Sequence, residues 1–245
     1  VTVFFGCAQP GGTTPGPADG GDDAPRDATP RPDAAGDAAA RDGGDGCKRA
    51  PPSNVCGLDP QCGCGANETC DVDFQALDGT THCVAATGSG GVKSPCATTK
   101  DCPAGLSCVF KTCRPYCESE GVLCGKAGTN VCAQLTNGQA PIPNLKVCRL
   151  DCQLDDPNAC GGNGVGCIYL DAKDRTDCYP VGTALSCSPN QGFCAPGYNC
   201  VILGGTQYTC KRWCRMGGSS CTGGTTCQGF NPPVEVGGQT WGVCL

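Results

Sequence analysis

The chain has 245 residues and a formal charge of −6, with 27 Cys, 39 Gly and 20 Pro. Leu, Ile, Val and Phe together number only 37, too few for the single large core of an ordinary domain of this length. The acidic balance gives nucleic-acid binding no electrostatic support.

The chain opens VTVFFGC, an apolar run that ends in Gly6 and Cys7. Such a run, followed at once by polar sequence, reads as the end of a secretion signal over residues 1–6. Gly6-Cys7 resembles the lipobox of bacterial lipoproteins, in which a small residue precedes the lipidated cysteine. Phe4 and Phe5 depart from that pattern. The resemblance implies lipidation of Cys7, membrane contact through a lipid anchor only, and, with Ala8 next, an outer-membrane location at the extracellular face of the envelope. Parity agrees: with Cys7 set aside, 26 cysteines remain, enough for thirteen bridges.

Residues 8–46 contain no Cys, no aromatic residue and no Leu, Ile, Val, Phe or Met. They cannot bury a core, so residues 7–46 are expected to be a disordered Pro/Gly/Ala/Asp linker. Eight Asp and three Arg give the linker −5 of the chain's −6, which leaves the body near neutral. A flexible tether of this length spans roughly 35 Å r.m.s..

From Cys47 onward the spacing repeats, and six units of four cysteines emerge. The first contains Cys56, Cys62 or Cys64, Cys70 and Cys83. The second contains Cys96, Cys102, Cys108 and Cys113; the third, Cys117, Cys124, Cys132 and Cys148. The fourth contains Cys152, Cys160, Cys167 and Cys178; the fifth, Cys187, Cys194, Cys200 and Cys210; the sixth, Cys214, Cys221, Cys227 and Cys244. Cys47 remains to pair with Cys62 or Cys64. Cysteine this dense implies an oxidising compartment, where bridges stabilise modules too small to build a core.

In each unit a Gly-bearing turn is expected between the second and third cysteines, and a β-hairpin between the third and fourth. The fifth unit shows it best: VIL, then GGT, then QYT. The first has Asp78-Gly79 at its bend and the third Asn137-Gly138. A lone hairpin is marginal in water, so bridges must clamp it to the preceding loop. Pairing of first with third and second with fourth is preferred, although four cysteines allow three connectivities. The fold class expected is small and disulfide-rich, mostly β-hairpin and loop, an elongated tandem array after a disordered linker.

Three-residue joints at 114–116, 149–151 and 211–213 connect units two to three, three to four, and five to six. The joints after units one and four are longer. On joint length the body divides into 47–94, 95–178 and 187–245, with each unit touching mostly its neighbours.

The pattern C-x5-C-P-x-G-x-x-C-V, carried by Cys96, Cys102, Pro103, Gly105, Cys108 and Val109, resembles Dickkopf-like and EB-type extracellular modules. The tandem array resembles the cysteine-rich lipoproteins of myxobacteria. That resemblance implies cell-surface binding or envelope structure, with an unnamed protein or glycan as partner and no catalytic residues.

The sequence carries few chemical motifs. There is no C-x-x-C pair and one histidine, His82, which argues against zinc and c-type haem. No catalytic residue, metal site or cofactor is assigned, and the protein is read as a non-enzyme. Asp71 with Asp73, or Asp171, Asp174 and Asp177, offer oxygens for Ca²⁺, but no EF-hand loop is present. Asn67-Glu68-Thr69 is a glycosylation sequon. Lys211, Arg212, Trp213 and Arg215 form the one basic–aromatic cluster, a candidate ligand contact, though packing of Trp213 over a disulfide is the blander reading. A second class is a protease inhibitor with Lys111 or Lys126 as bait.

Overall fold

The computed structural model describes residues 47–124, 130–137, 140–170, 175–183, 185–188, 194–204, 207–218 and 221–245. The expectations for residues 1–46, Cys7 among them, lie outside the described residues.

The described chain is nearly all β. Unit one contains β1 (Gly57–Leu58), β2 (Gln61–Cys62), β3 (Glu68–Val72) and β4 (Thr81–Ala85). Unit two contains a single 3-10 turn (Thr99–Asp101), β5 (Leu106–Val109) and β6 (Thr112–Pro115). Unit three contains β7 (Leu123–Cys124), β8 (Asn130–Asn137) and β9 (Ala140–Cys148). Unit four is the hairpin β10 (Val165–Leu170) and β11 (Arg175–Pro180). Unit five is β12 (Tyr198–Leu203) with β13 (Gln207–Arg215), and unit six is β14 (Cys227–Val236) with β15 (Gln239–Cys244). In the last two units the strands merge into one sheet, ordered β12-β13-β15-β14.

In all six hairpins the third and fourth cysteines stand directly opposite each other: Cys70 and Cys83, Cys108 and Cys113, Cys132 and Cys148, Cys167 and Cys178, Cys200 and Cys210, Cys227 and Cys244. They are not bonded to each other. A bridge between them would only close a hairpin that the ladder already closes. Instead the third cysteine bonds the first and the fourth bonds the second, as in Cys96–Cys108 and Cys102–Cys113. The same crossing recurs at Cys117–Cys132 with Cys124–Cys148, Cys152–Cys167 with Cys160–Cys178, Cys187–Cys200 with Cys194–Cys210, and Cys214–Cys227 with Cys221–Cys244. In unit one Cys56 bonds Cys70 and Cys64 bonds Cys83, while Cys47 bonds Cys62. Each pair of bridges ties the preceding loop across its hairpin. In the chain-entropy model a loop of about 15 residues contributes ~3 kcal/mol per bridge.

The turns follow local chemistry only in part. Gly237 and Gly238, with φ of 59° and 75°, form the two-residue turn of unit six. Unit two makes the same kind of turn from Phe110 and Lys111, at φ of 55° and 60°, without a glycine. The Asp78-Gly79 pair is not a two-residue bend. It sits inside a longer loop between β3 and β4.

The buried side chains form two main clusters, and these do not follow the joint lengths. One gathers Leu58 and Val72 of unit one, Val109 of unit two, and Ile142, Leu145 and Val147 of unit three, with Tyr116 from the joint between units two and three. The other gathers Val165 of unit four, Val201 of unit five, and Phe230, Val234, Trp241 and Val243 of unit six, with Leu150, Leu154 and Trp213. The buried side chains thus group units one to three in one block and units four to six in another. A long joint does not stop neighbouring units from sharing apolar surface, because burial and not tether length sets the contact.

The two blocks repeat each other in detail. The bridges of units three and six close the longest spans, 24 and 23 residues. Tyr116 pairs with Val147 as Trp213 pairs with Val243, each residue standing one place before a cysteine. The Ala86 amide donates to the Asn67 carbonyl at 2.8 Å, and Val181 donates to Gly164 at 2.8 Å. Cys113 donates to Ser94 at 2.9 Å, and Cys210 donates to Leu185 at 3.4 Å.

Candidate functional site

Three charged side chains are buried among the described residues: Asp71, Arg114 and Asp177. All three join one unit to another. Asp71, on β3, accepts from Thr99 Oγ1 at 2.5 Å, from Ser107 Oγ at 2.7 Å and from the Tyr116 hydroxyl. Unit one is thereby fastened to unit two and to the joint that follows it. Burial, together with the Asp71 carboxylate, holds the Tyr116 hydroxyl well above its ordinary pKa, so it stays a donor.

Arg114 leaves β6 and crosses to β11. Its Nη1 lies 2.7 Å from Asp177 Oδ1, and its Nη2 donates to the Cys178 carbonyl. Its Nε donates to Thr112 Oγ1 at 2.9 Å. Asp177 also accepts from the Leu150 amide at 2.9 Å and the Cys178 amide at 2.8 Å. Burial lowers the Arg114 pKa from its ordinary value, and the Asp177 charge works against that shift. Beside the pair, Phe110 stacks on Tyr179 with centroids 4.2 Å apart. That contact, with the Arg114 guanidinium 5.3 Å over the Phe110 ring, holds the glycine-free turn.

The aspartates considered for Ca²⁺ have these surroundings. Asp71 accepts from internal donors at both carboxylate oxygens and Asp177 at Oδ1, and Asp73 accepts from the Gln75 and Ala76 amides at 2.8 and 3.2 Å. Asp171 and Asp174 lie outside the described residues. Sulfurs do come together: those of Cys96, Cys102 and Cys113 lie within 4.8 Å of one another. They belong to two adjacent bridges, whereas a metal requires free thiolates.

The basic–aromatic cluster is dispersed. Trp213 is 2% exposed and packs edge-on to Phe230 and Trp241, with centroids 5.4 and 6.5 Å away. It forms a core whose members include the bridged Cys160, Cys167 and Cys178. Arg215 pairs with Asp155 at 3.3 Å and lies over the Trp241 ring. Lys211 and Arg212 are half-buried on β13 opposite Asn199 and Tyr198. His82 is exposed. Asn67 is exposed, but Thr69 of its sequon is buried and donates to Gln61 Oε1 at 3.0 Å. Lys111 occupies the left-handed second position of a tight turn, which is not the extended backbone a protease bait presents. Lys126 lies outside the described residues.

Sequence reasoning missed the loop between β3 and β4. Asp73 anchors it from within: its amide donates to the Thr80 carbonyl at 2.8 Å, and its carbonyl accepts from Leu77 at 3.2 Å. Asn144 fastens it from outside, donating to Gly79 at 3.0 Å and Pro51 at 2.6 Å. On this fixed loop Phe74 and Leu77 stand 39% and 36% exposed. Its sequence signal is the Asp73 turn cap ahead of an apolar pair.

No family model matches the chain, and no solved structure matches it. Over 144 residues, 56% of its length, it is 31% identical to progranulin of Mus musculus. The chain spans 23% of the length of that relative. It is a disulfide-rich protein of the extracellular type. Thirteen bridges in tandem cysteine-rich units carry that statement together with the partial likeness to progranulin. No described helix is long and apolar enough to cross a membrane.

Proposed function

We propose that the protein is a non-catalytic binding scaffold held at the outer face of a cell envelope. Cys7 carries the lipid anchor, residues 8–46 are the tether, and the cysteine-rich body presents fixed loops to an extracellular protein or glycan. The observation that supports this reading best is the use of the buried charges. Asp71, Arg114 and Asp177 all serve joints between units, so the body's chemistry is that of a rigid frame. The loop bearing Phe74 and Leu77 is the contact surface we assign to the partner, since apolar side chains on a preorganised loop bind without a large ordering cost.

The bacterial lipoprotein reading rests on the Gly6-Cys7 resemblance, the cysteine parity and the resemblance of the tandem array to myxobacterial lipoproteins. It is tested by replacing Cys7 with Ser in the secreted precursor. The parent should fractionate with membranes and the variant should pass into the medium, each without free thiols. A variant that stays with the membrane would overturn the anchor. Surface crosslinking then tests the contact: a partner captured by the parent and lost in the Phe74→Ser, Leu77→Ser variant supports the assignment, and its retention opposes it.

A further inference from the structure

The contact between the two blocks has a defined chemistry. Unit two supplies the segment Lys93–Pro95, Phe110 and Arg114. Unit four supplies Gly161, Asp177 and Tyr179, and the joint before it supplies Asp151. Lys93 Nζ donates to the Asp151 carbonyl, and a side chain at Gly161 would meet the Lys93 carbonyl oxygen at 2.8 Å. Because the blocks repeat each other, each of these faces has a counterpart elsewhere in the chain.

The counterpart of the unit-two face is on unit five. Leu185 takes the place of Ser94, as their matching hydrogen bonds to Cys210 and Cys113 show, and Lys211 takes the place of Arg114. The counterpart of the unit-four face is on unit one. Val55 stands for Asp151, Gly65 for Gly161, His82 for Asp177 and Val84 for Tyr179, each at the same offset from its cysteine. Inside the chain Arg114 and Asp177 at the centre of these faces are buried, Ser94 and Asp151 are half-buried, and Pro95 and Gly161 at the rim stay exposed. Among their counterparts Leu185 is 61% exposed and Val55 46%, both high for large apolar side chains, and His82 is exposed where Asp177 is buried, while Lys211 and Val84 are half-buried.

We propose that copies of this chain associate head to tail, the unit-five face of one copy docking on the unit-one face of the next as a repeat of the internal contact. The buried ion pair is not reproduced, since Lys211 would meet His82. Leu185 and Val55 supply apolar contact instead, at the positions that Ser94 and Asp151 hold in the internal contact. The two faces differ, so the interface is heterologous. Repeated without closure, it builds a filament rather than a symmetric dimer. This inference does not depend on lipidation of Cys7 or on the loop partner.

Sedimentation velocity on the full chain carrying Cys7→Ser tests it, with Val55→Asp and Leu185→Asp as variants. Both positions are exposed, and a bridge count by alkylation checks that each variant is folded. The parent should grow past a dimer as concentration rises. Each variant alone should be monomeric at concentrations where the parent associates. Their equimolar mixture should stop at a 1:1 heterodimer, because each retains the face the other has lost. A parent that stays monomeric near 1 mM, variants that associate like the parent, or a mixture that forms no heterodimer would overturn the proposal.

Discussion

The guanidinium of Arg114 lies 2.7 Å from the carboxylate of Asp177, joining the second unit to the fourth across 63 residues. The pair is the ionic element of the contact between two three-unit blocks. Removing one partner leaves the other charged and buried. Arg114→Met is expected to cost about 3–5 kcal/mol. Adding Asp177→Asn should recover part of that loss, because the amide oxygen still accepts from Leu150 and no charge remains. Urea denaturation of the two variants checks this, and equal losses would show that the ion pair contributes nothing specific.

Tyr116→Phe removes one donor from the buried Asp71 and leaves the ring in place. The expected cost is about 1–3 kcal/mol, the range for an unsatisfied buried group. The same residue gives an alkaline prediction. Its pKa is raised in the fold, so its contribution is present in full below the ordinary tyrosine pKa and is lost as pH rises through the raised value. Tyrosinate absorbance should therefore show a phenol that ionises only as the fold opens.

The reading of Trp213 as core is tested by comparing Trp213→Ala with Lys211→Ala. The first should cost about 3–5 kcal/mol as a large-to-small core change. The second, on a half-buried lysine, should stay within about 0.5 kcal/mol. Thermal unfolding of both variants decides between a core tryptophan and a ligand-facing one.

The hairpin architecture was legible because cysteine spacing is a one-dimensional record of it. Gly237-Gly238 could be read as a turn, whereas Phe110-Lys111 could not. The stacking of Phe110 on Tyr179 that holds that turn joins residues far apart in the chain. The same limit hid the block structure. Joint lengths are local, but Tyr116 and Trp213 gather side chains from three units each. Asp177 read as a loop carboxylate until Arg114 was placed beside it, and for Trp213 the flanking basic residues left a ligand contact open beside the blander reading of a packed side chain. The loop of Phe74 and Leu77 was missed for the opposite reason: its apolar pair looked like ordinary strand sequence.

Acid should loosen unit two. Asp101 accepts from the amides of Thr98 and Ala97, which hold its pKa below the usual carboxylate value. A depressed folded pKa gives stability that is present above the unfolded pKa and is lost as pH falls through the folded one. Asp101→Asn should therefore flatten the acid limb of the stability curve. An unchanged acid limb would place that dependence elsewhere.

The most direct test of the whole account is the intact mass of the protein taken from its native membrane, unreduced and exposed to an alkylating agent. The expected result is a chain that begins at Cys7, bears acyl additions and takes up no alkyl groups. A chain that retains Val1–Gly6 and carries several alkylated thiols would contradict it.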